Sequence, residues 1–277
     1  MLWIGNSLEG LAPKTSKCIG KHNMPLDEKS VQIKKKNFKP FQFVNLDAIP
    51  ISAEMLNFEG ILFIQFEYSQ HERLIMCAGP REEYGNYSLE IMLWRWMEKS
   101  QPENYFGDIQ FPAELHLFFI NENNPYSELT ALSFPLKVVK NSQMKFFDVI
   151  TQHLPLIRSP SSGIVLPPDS IPLLGEILNT TDLSHFYTYS GRSCYVVYLS
   201  DVIWFDMISP IEVGIDFVQQ VEYLETFGDK PLMEVIVKQK PPAGIVTKSF
   251  GTNKGQKWFL APEVFTIAGI ILFYHQN

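Results

Sequence analysis

YSLEIMLWRWM, residues 87–97, is followed by AELHLFFI at 113–120, and the reading of these two runs decides the fold. Both have the aromatic and aliphatic composition of strands. With a period of two, Leu93, Arg95 and Met97 fall on one face of the first, and Met92, Trp94 and Trp96 on the other. A charge therefore sits among apolar neighbours. In the second run Glu114 and His116 point the same way from an otherwise apolar strand. A histidine with a glutamate on its own face reads in two ways, as a satisfied polar pair in a core or as part of a ligand set.

Working outward, ILFIQFEY at 61–68, RLIMCA at 73–78 and FPLKVVK at 134–140 predict further strands, with β pattern setting in from residue 60. Helical period is found at 144–154, 170–179 and 215–227, where apolar residues recur at i, i+3 and i+4. Strand composition returns at 193–208 and 232–240. Residues 1–30 read as a turn-rich lead-in, and Lys34 to Lys36 as a solvated surface turn. The 277 residues contain 37 aromatics but nine alanines, which argues against a helical bundle, and 19 scattered prolines favour many short elements. A β-rich domain with short helices is expected.

Charge narrows the partners. Lys and Arg number 23 against 30 Asp and Glu, so the net charge is 23 − 30 = −7 and the basic footprint of a nucleic-acid or anionic-membrane binder is missing. Cys18, Cys77 and Cys194 are odd in number and form no CxxC, which predicts reduced thiols and no thiolate zinc knuckle. The first ten residues lack a basic and apolar leader pattern, so the sequence as written predicts a cytosolic protein. The apolar tail at 264–274 is about half the ~20 residues a membrane-spanning helix needs. A buried terminal element is its simpler reading, a lipid-anchor signal the other. Two N-x-S/T triplets begin at Asn86 and Asn179 and matter only in a secretory protein.

The two opening runs carry a resemblance to the alpha-class carbonic anhydrases. That family has an aromatic-rich strand of the type Y-x-L-E-x-x-H-x-H-W-G followed by P-A-E-L-H-L, whose three histidines hold a catalytic zinc. Here the second motif is intact as PAELHL, residues 112–117, whereas the first reads YSLEIMLWRWM. MLNFEGILFIQFEYSQ at 55–70, FYTYSGRSCYVVYLSDVIWFDMISPIEV at 186–213, FKPFQF and KQKPP resemble further family segments in the same order. The likeness runs from about 18 to 250, leaving 1–17 as a lead-in and 251–277 as an extension. It implies one α+β domain, mainly β, with a large twisted and mostly antiparallel sheet and short peripheral helices.

The same resemblance implies that the enzyme's parts are missing. The first two zinc-ligand positions are Leu93 and Arg95, which leaves His116 alone, and a catalytic zinc needs three protein ligands. The proton-shuttle position is Gly60, and the hydroxide-orienting threonine is Cys194, followed by Tyr195. Glu103, eleven residues before Glu114, matches the carboxylate that orients that threonine. Glu114 matches the partner of the third histidine, and Trp204 and Val202 match wall residues. Phe63, Ile91 and Phe118 occupy cone-lining positions, so the cone is expected to be partly filled and drier. Cys18 lies near a position where secreted members carry half a disulfide, but its usual partner position is Tyr198. This hints at descent from a secreted branch, and the written N-terminus would then be a truncated one.

The leading expectation is a carbonic-anhydrase-related protein without zinc or other cofactor, a monomer that binds an unidentified protein partner. The alternative is a divergent enzyme on the same fold. It would use either residual metal-dependent hydration or thiol chemistry with Cys194 as nucleophile, His116 as base and Glu114 as orienting acid.

Overall fold

The computed structural model describes residues 32–58, 60–69, 71–96, 111, 113–125, 129–191, 202–225 and 245–249. In chain order the elements are β1 Gln32–Lys36, β2 Gln42–Val44, β3 Ser52–Phe58, β4 Ile61–Glu67, β5 Ile75–Ala78, β6 Tyr87–Trp96, β7 Ala113–Asn121 and β8 Leu129–Val139. They continue as α1 Lys145–His153, β9 Ser162–Val165, α2 Leu174–Thr180, β10 Phe186–Gly191, β11 Val202–Met207, β12 Ile211–Gly214, α3 Ile215–Glu222 and β13 Ile245–Ser249.

All the described strands join one sheet, whose main path runs β1-β13-β10-β11-β8-β7-β6-β4-β3-β9. β12 pairs with β8, and β5 bridges β2 to β6. The pairings of β1 with β13, β11 with β8 and β12 with β8 are parallel, and the rest are antiparallel. The expectation of a large, mostly antiparallel sheet with three short helices is met.

The central strands are covered on both faces, and this explains their composition. Every residue of β7 is buried, as are the first eight of β8, so these strands read as apolar runs rather than alternating ones. On one face Trp94, Phe119, Phe134 and Phe205 pack against Phe147 of α1, Ile177 of α2 and Phe217 of α3. On the other, Phe63, Leu93, Phe118, Tyr187, Val202 and Trp204 form a second apolar cluster.

Several elements differ from the sequence expectation. Lys34 to Lys36 are exposed but form strand β1, because a parallel pairing with β13 satisfies their backbone. Strand precedes residue 60 in β1, β2 and β3, the last of which is fixed between β4 and β9. The predicted helix at 170–179 starts only at Leu174, since Pro172 disfavours the helical region for Ile171, which is extended at φ −86° and ψ 120°, and Leu173 is extended too. α3 stops at Glu222, and Leu224 and Glu225 turn away with the Glu225 N–H donating to the Arg158 carbonyl. β5 begins at Ile75 rather than 73, and β8 begins at Leu129, ahead of the predicted 134. Of 193–208 the described part is strand from 202 to 207, and 232–240 lies outside the described residues.

Polar side chains hold the connections. Asn57 is fully buried; its amide donates to the carbonyls of Arg158, Ser159 and Glu225, and its Oδ1 accepts the Gly60 N–H at 2.7 Å. It ties the β3–β4 turn to two distant loops. α1 has Met144 at its N-cap, which offers no side-chain oxygen, and the Glu176 carboxylate of α2 accepts the N–H groups of Lys145 and Phe146 at 2.8 and 2.9 Å instead. A carboxylate there satisfies two orphan donors and complements the helix dipole. Glu176→Ala is expected to lower stability by about 1–2 kcal/mol in chemical denaturation, with Glu176→Gln retaining part of the contribution.

Candidate functional site

The site is built on β6 and β7, and its geometry begins with an irregularity. Leu89 lies opposite Phe119 and Ile91 opposite Phe118, so Glu90 is an extra residue, a β-bulge in β6. Leu89 packs into the core beneath the helices, whereas Ile91 packs against the other cluster. Two residues that should share a face are thereby put on opposite faces. Burial pushes the Glu90 carboxyl above its usual range, and the charge of Arg73 partly offsets this.

Beyond the bulge the register is regular. Leu93 pairs with Phe63 on one side and His116 on the other; His116 pairs with Ser133, Ser133 with Asp206, and Asp206 with Tyr187. This row crosses six strands on one face of the sheet. Arg95 is the registered partner of Glu114.

His116 and Glu114 form a bonded pair in full burial. Leu93 and His116 are 0% exposed and Glu114 is 1% exposed. Nε2 of His116 lies 3.0 Å from Oε2 of Glu114, so Nε2 carries the proton and donates to the carboxylate. A cation at this imidazole would have to bind Nδ1. The ring stands edge-on to Trp204 at 5.2 Å and to Phe118 at 6.1 Å, and Phe118 and Trp204 meet edge to face at 5.5 Å. Phe58 and Phe63 close the same cluster from the β3–β4 hairpin.

The structure brings together Leu93, His116, Glu114 and Trp204, with Phe63, Ile91 and Phe118 around them. Gly60 sits in the β3–β4 turn, buried, with φ of 85°, a backbone conformation that favours glycine. Glu103, Cys194, Tyr195 and Cys18 lie outside the described residues, and for Arg95 the backbone position is what is described.

Sequence reasoning missed three polar residues on this face. Asp206, 0% exposed in β11, accepts the Tyr189 hydroxyl at 2.5 Å. Ser133, between His116 and Asp206 in the register, is fully buried and its Oγ has no hydrogen-bond partner. Their signal is a polar residue at the same parity as Trp204 or Ala131 in an apolar strand.

Among the described residues no group of three or more His, Cys, Asp or Glu is placed to hold a metal ion. The chemistry of the register agrees: leucine has no donor atom, and a guanidinium cannot give up its charge to ligate a cation. The residues at 93, 95 and 116 do not fit a three-histidine centre. Cys77 is the free thiol of the described residues, and burial pushes its pKa up, which keeps it a thiol rather than a nucleophilic thiolate.

A wide, mostly antiparallel sheet with short helices on one face, and a His–Glu pair in strand β7 on the other, defines a narrow class of β-rich fold. Its sequence signature is decisive: residues 11–239 match the family described as eukaryotic-type carbonic anhydrase. The chain belongs to the carbonic anhydrase family. Comparison with curated proteins finds no match.

Proposed function

We propose that this member of the carbonic anhydrase family binds no catalytic zinc, does not hydrate carbon dioxide, and serves as a binding module for a protein partner. One observation carries the reading. Leu93, the residue registered directly opposite His116, is fully buried in an apolar cluster where the family places a ligand. A zinc ion at His116 would exchange part of its water shell for a leucine side chain and aromatic rings, a transfer that costs charge solvation and returns one coordinate bond. Arg95, two residues on, adds a permanent cation to the same stretch of strand.

The partner belongs to the proposal as a class. A net charge of −7 favours a protein over nucleic acid or an anionic membrane surface. No helix among the described residues is long and apolar enough to cross a membrane.

The test is metal content together with carbon dioxide hydration. Purified and dialysed protein is expected to hold less than ~0.1 zinc per chain and to hydrate no faster than buffer, because zinc sites need three or four deprotonated ligands. Stoichiometric zinc lost on His116→Ala, or hydration that depends on added metal, overturns the reading.

A further inference from the structure

We propose that Asn86 and Asn179 are N-glycosylated, and hence that the chain matures where oligosaccharide is transferred from a lipid carrier. Both asparagines head triplets of the acceptor type, Asn86-Tyr87-Ser88 and Asn179-Thr180-Thr181, with no proline in the middle. A triplet alone is a weak signal; the structure adds what each asparagine does.

Asn86 and Asn179 are both exposed, and neither side-chain amide makes a hydrogen bond. Three asparagines of the fold are committed. Asn45 donates to the carbonyls of His71 and Arg73, Asn57 binds three carbonyls and one N–H, and Asn121 donates to Tyr84 while accepting from Asn123 and Asn124. A sugar on any of those amides would break a connection. On Asn86 or Asn179 it breaks none and projects into solvent.

The third residue of each triplet fixes when the transfer takes place. Ser88 and Thr181 are buried, and Thr181 Oγ1 donates to the Ile177 carbonyl at 2.9 Å. The hydroxyl that an acceptor triplet must present is accessible only before folding, so transfer takes place on the entering chain and the glycan is then left outside as the strand and helix form. In that step Nδ2 of asparagine attacks the anomeric carbon of an oligosaccharide carried on a polyprenyl pyrophosphate. The N–C bond forms, the C–O bond to pyrophosphate breaks, the lipid pyrophosphate leaves with the electron pair, and the amide nitrogen gives up one proton to base. Nothing is oxidised or reduced.

Protein purified from its own source and treated with peptide N-glycosidase in heavy-oxygen water is expected to yield labelled aspartate at positions 86 and 179. In full-length chain expressed through the secretory route, Asn86→Gln and Asn179→Gln are each expected to remove one step of mass. Thr181→Ser should keep the second step. Folded, unglycosylated protein offered the transferase and lipid-linked donor should accept no sugar until it is unfolded. Unlabelled asparagine at either position in the native protein overturns the assignment of that position, and unlabelled asparagine at both overturns the proposal, whatever the expressed chain does.

Discussion

A variant carrying Leu93→His and Arg95→His is expected to take up about one zinc per chain, where the parent takes up almost none. The argument is geometric. Positions 93 and 116 are direct cross-strand partners, position 95 is two residues along β6, and Glu114 already fixes the His116 ring with Nε2 engaged. Two new imidazoles on β6 would complete a three-ligand corner with Nδ1 of His116. Binding to the folded state alone should stabilise the variant by about 4 kcal/mol at zinc a thousandfold above its Kd, visible as a zinc-dependent rise in Tm. Hydration should stay weak even so, because Gly60 has no proton to relay. Gly60→His would not repair this cheaply: φ of 85° strains any residue with a Cβ, by about 1 kcal/mol or more. A folded double variant that binds no zinc refutes the geometric argument, and activity at the family's level refutes the weight given to Gly60.

His116→Leu should be the most damaging single change on the second face. It takes from Glu114, itself 1% exposed, the imidazole that donates to it at 3.0 Å. Removing a donor from a buried carboxylate typically costs about 3 kcal/mol or more, whereas an exposed pair is worth ~0–1 kcal/mol, so burial decides the size. A fall in Tm of roughly 6–12 °C is expected. Adding Glu114→Gln to that variant removes the carboxylate that lost its donor, and part of the stability should return. If the double variant melts no higher than the single one, the pair contributes packing rather than electrostatics. Arg95→Ala, tested against Glu114→Gln in the same way, asks whether the registered guanidinium compensates the same carboxylate.

Much of the fold was legible in the two central strands. Their apolar runs, the parity of Glu114 with His116 and the motif PAELHL lead from residues to sheet to family without the coordinates. The ends of elements were not. Ile171 belongs by period to the helix that starts at Leu174, but the proline that follows it keeps it extended. Lys34 to Lys36 look like a turn by charge, yet a strand at the sheet edge needs only a partner for its backbone, and β13, more than two hundred residues away, supplies it. The one local mark of Ser133 and Asp206 is polarity within an apolar strand, and their place beside His116 depends on the register of β7, β8 and β11.

The bulge at Glu90 makes that register a matter of chain length. Leu89 and Ile91 lie on opposite faces because one residue is spent between them, and from there to Trp94 the side chains alternate regularly. A gene that lost the single codon for Glu90 would keep every apolar and aromatic residue of the strand. It would also keep their partners and faces, because Leu89 and Ile91 would then be consecutive in an unbroken ladder opposite Phe119 and Phe118. The heavier lesion is the loss of one codon beyond the bulge, such as that for Met92, which with the bulge kept would turn Leu93 under the helices and swing Trp94 towards His116. The step at Glu90 is one the pairing can do without, while each step after it is needed to keep Leu93 opposite His116.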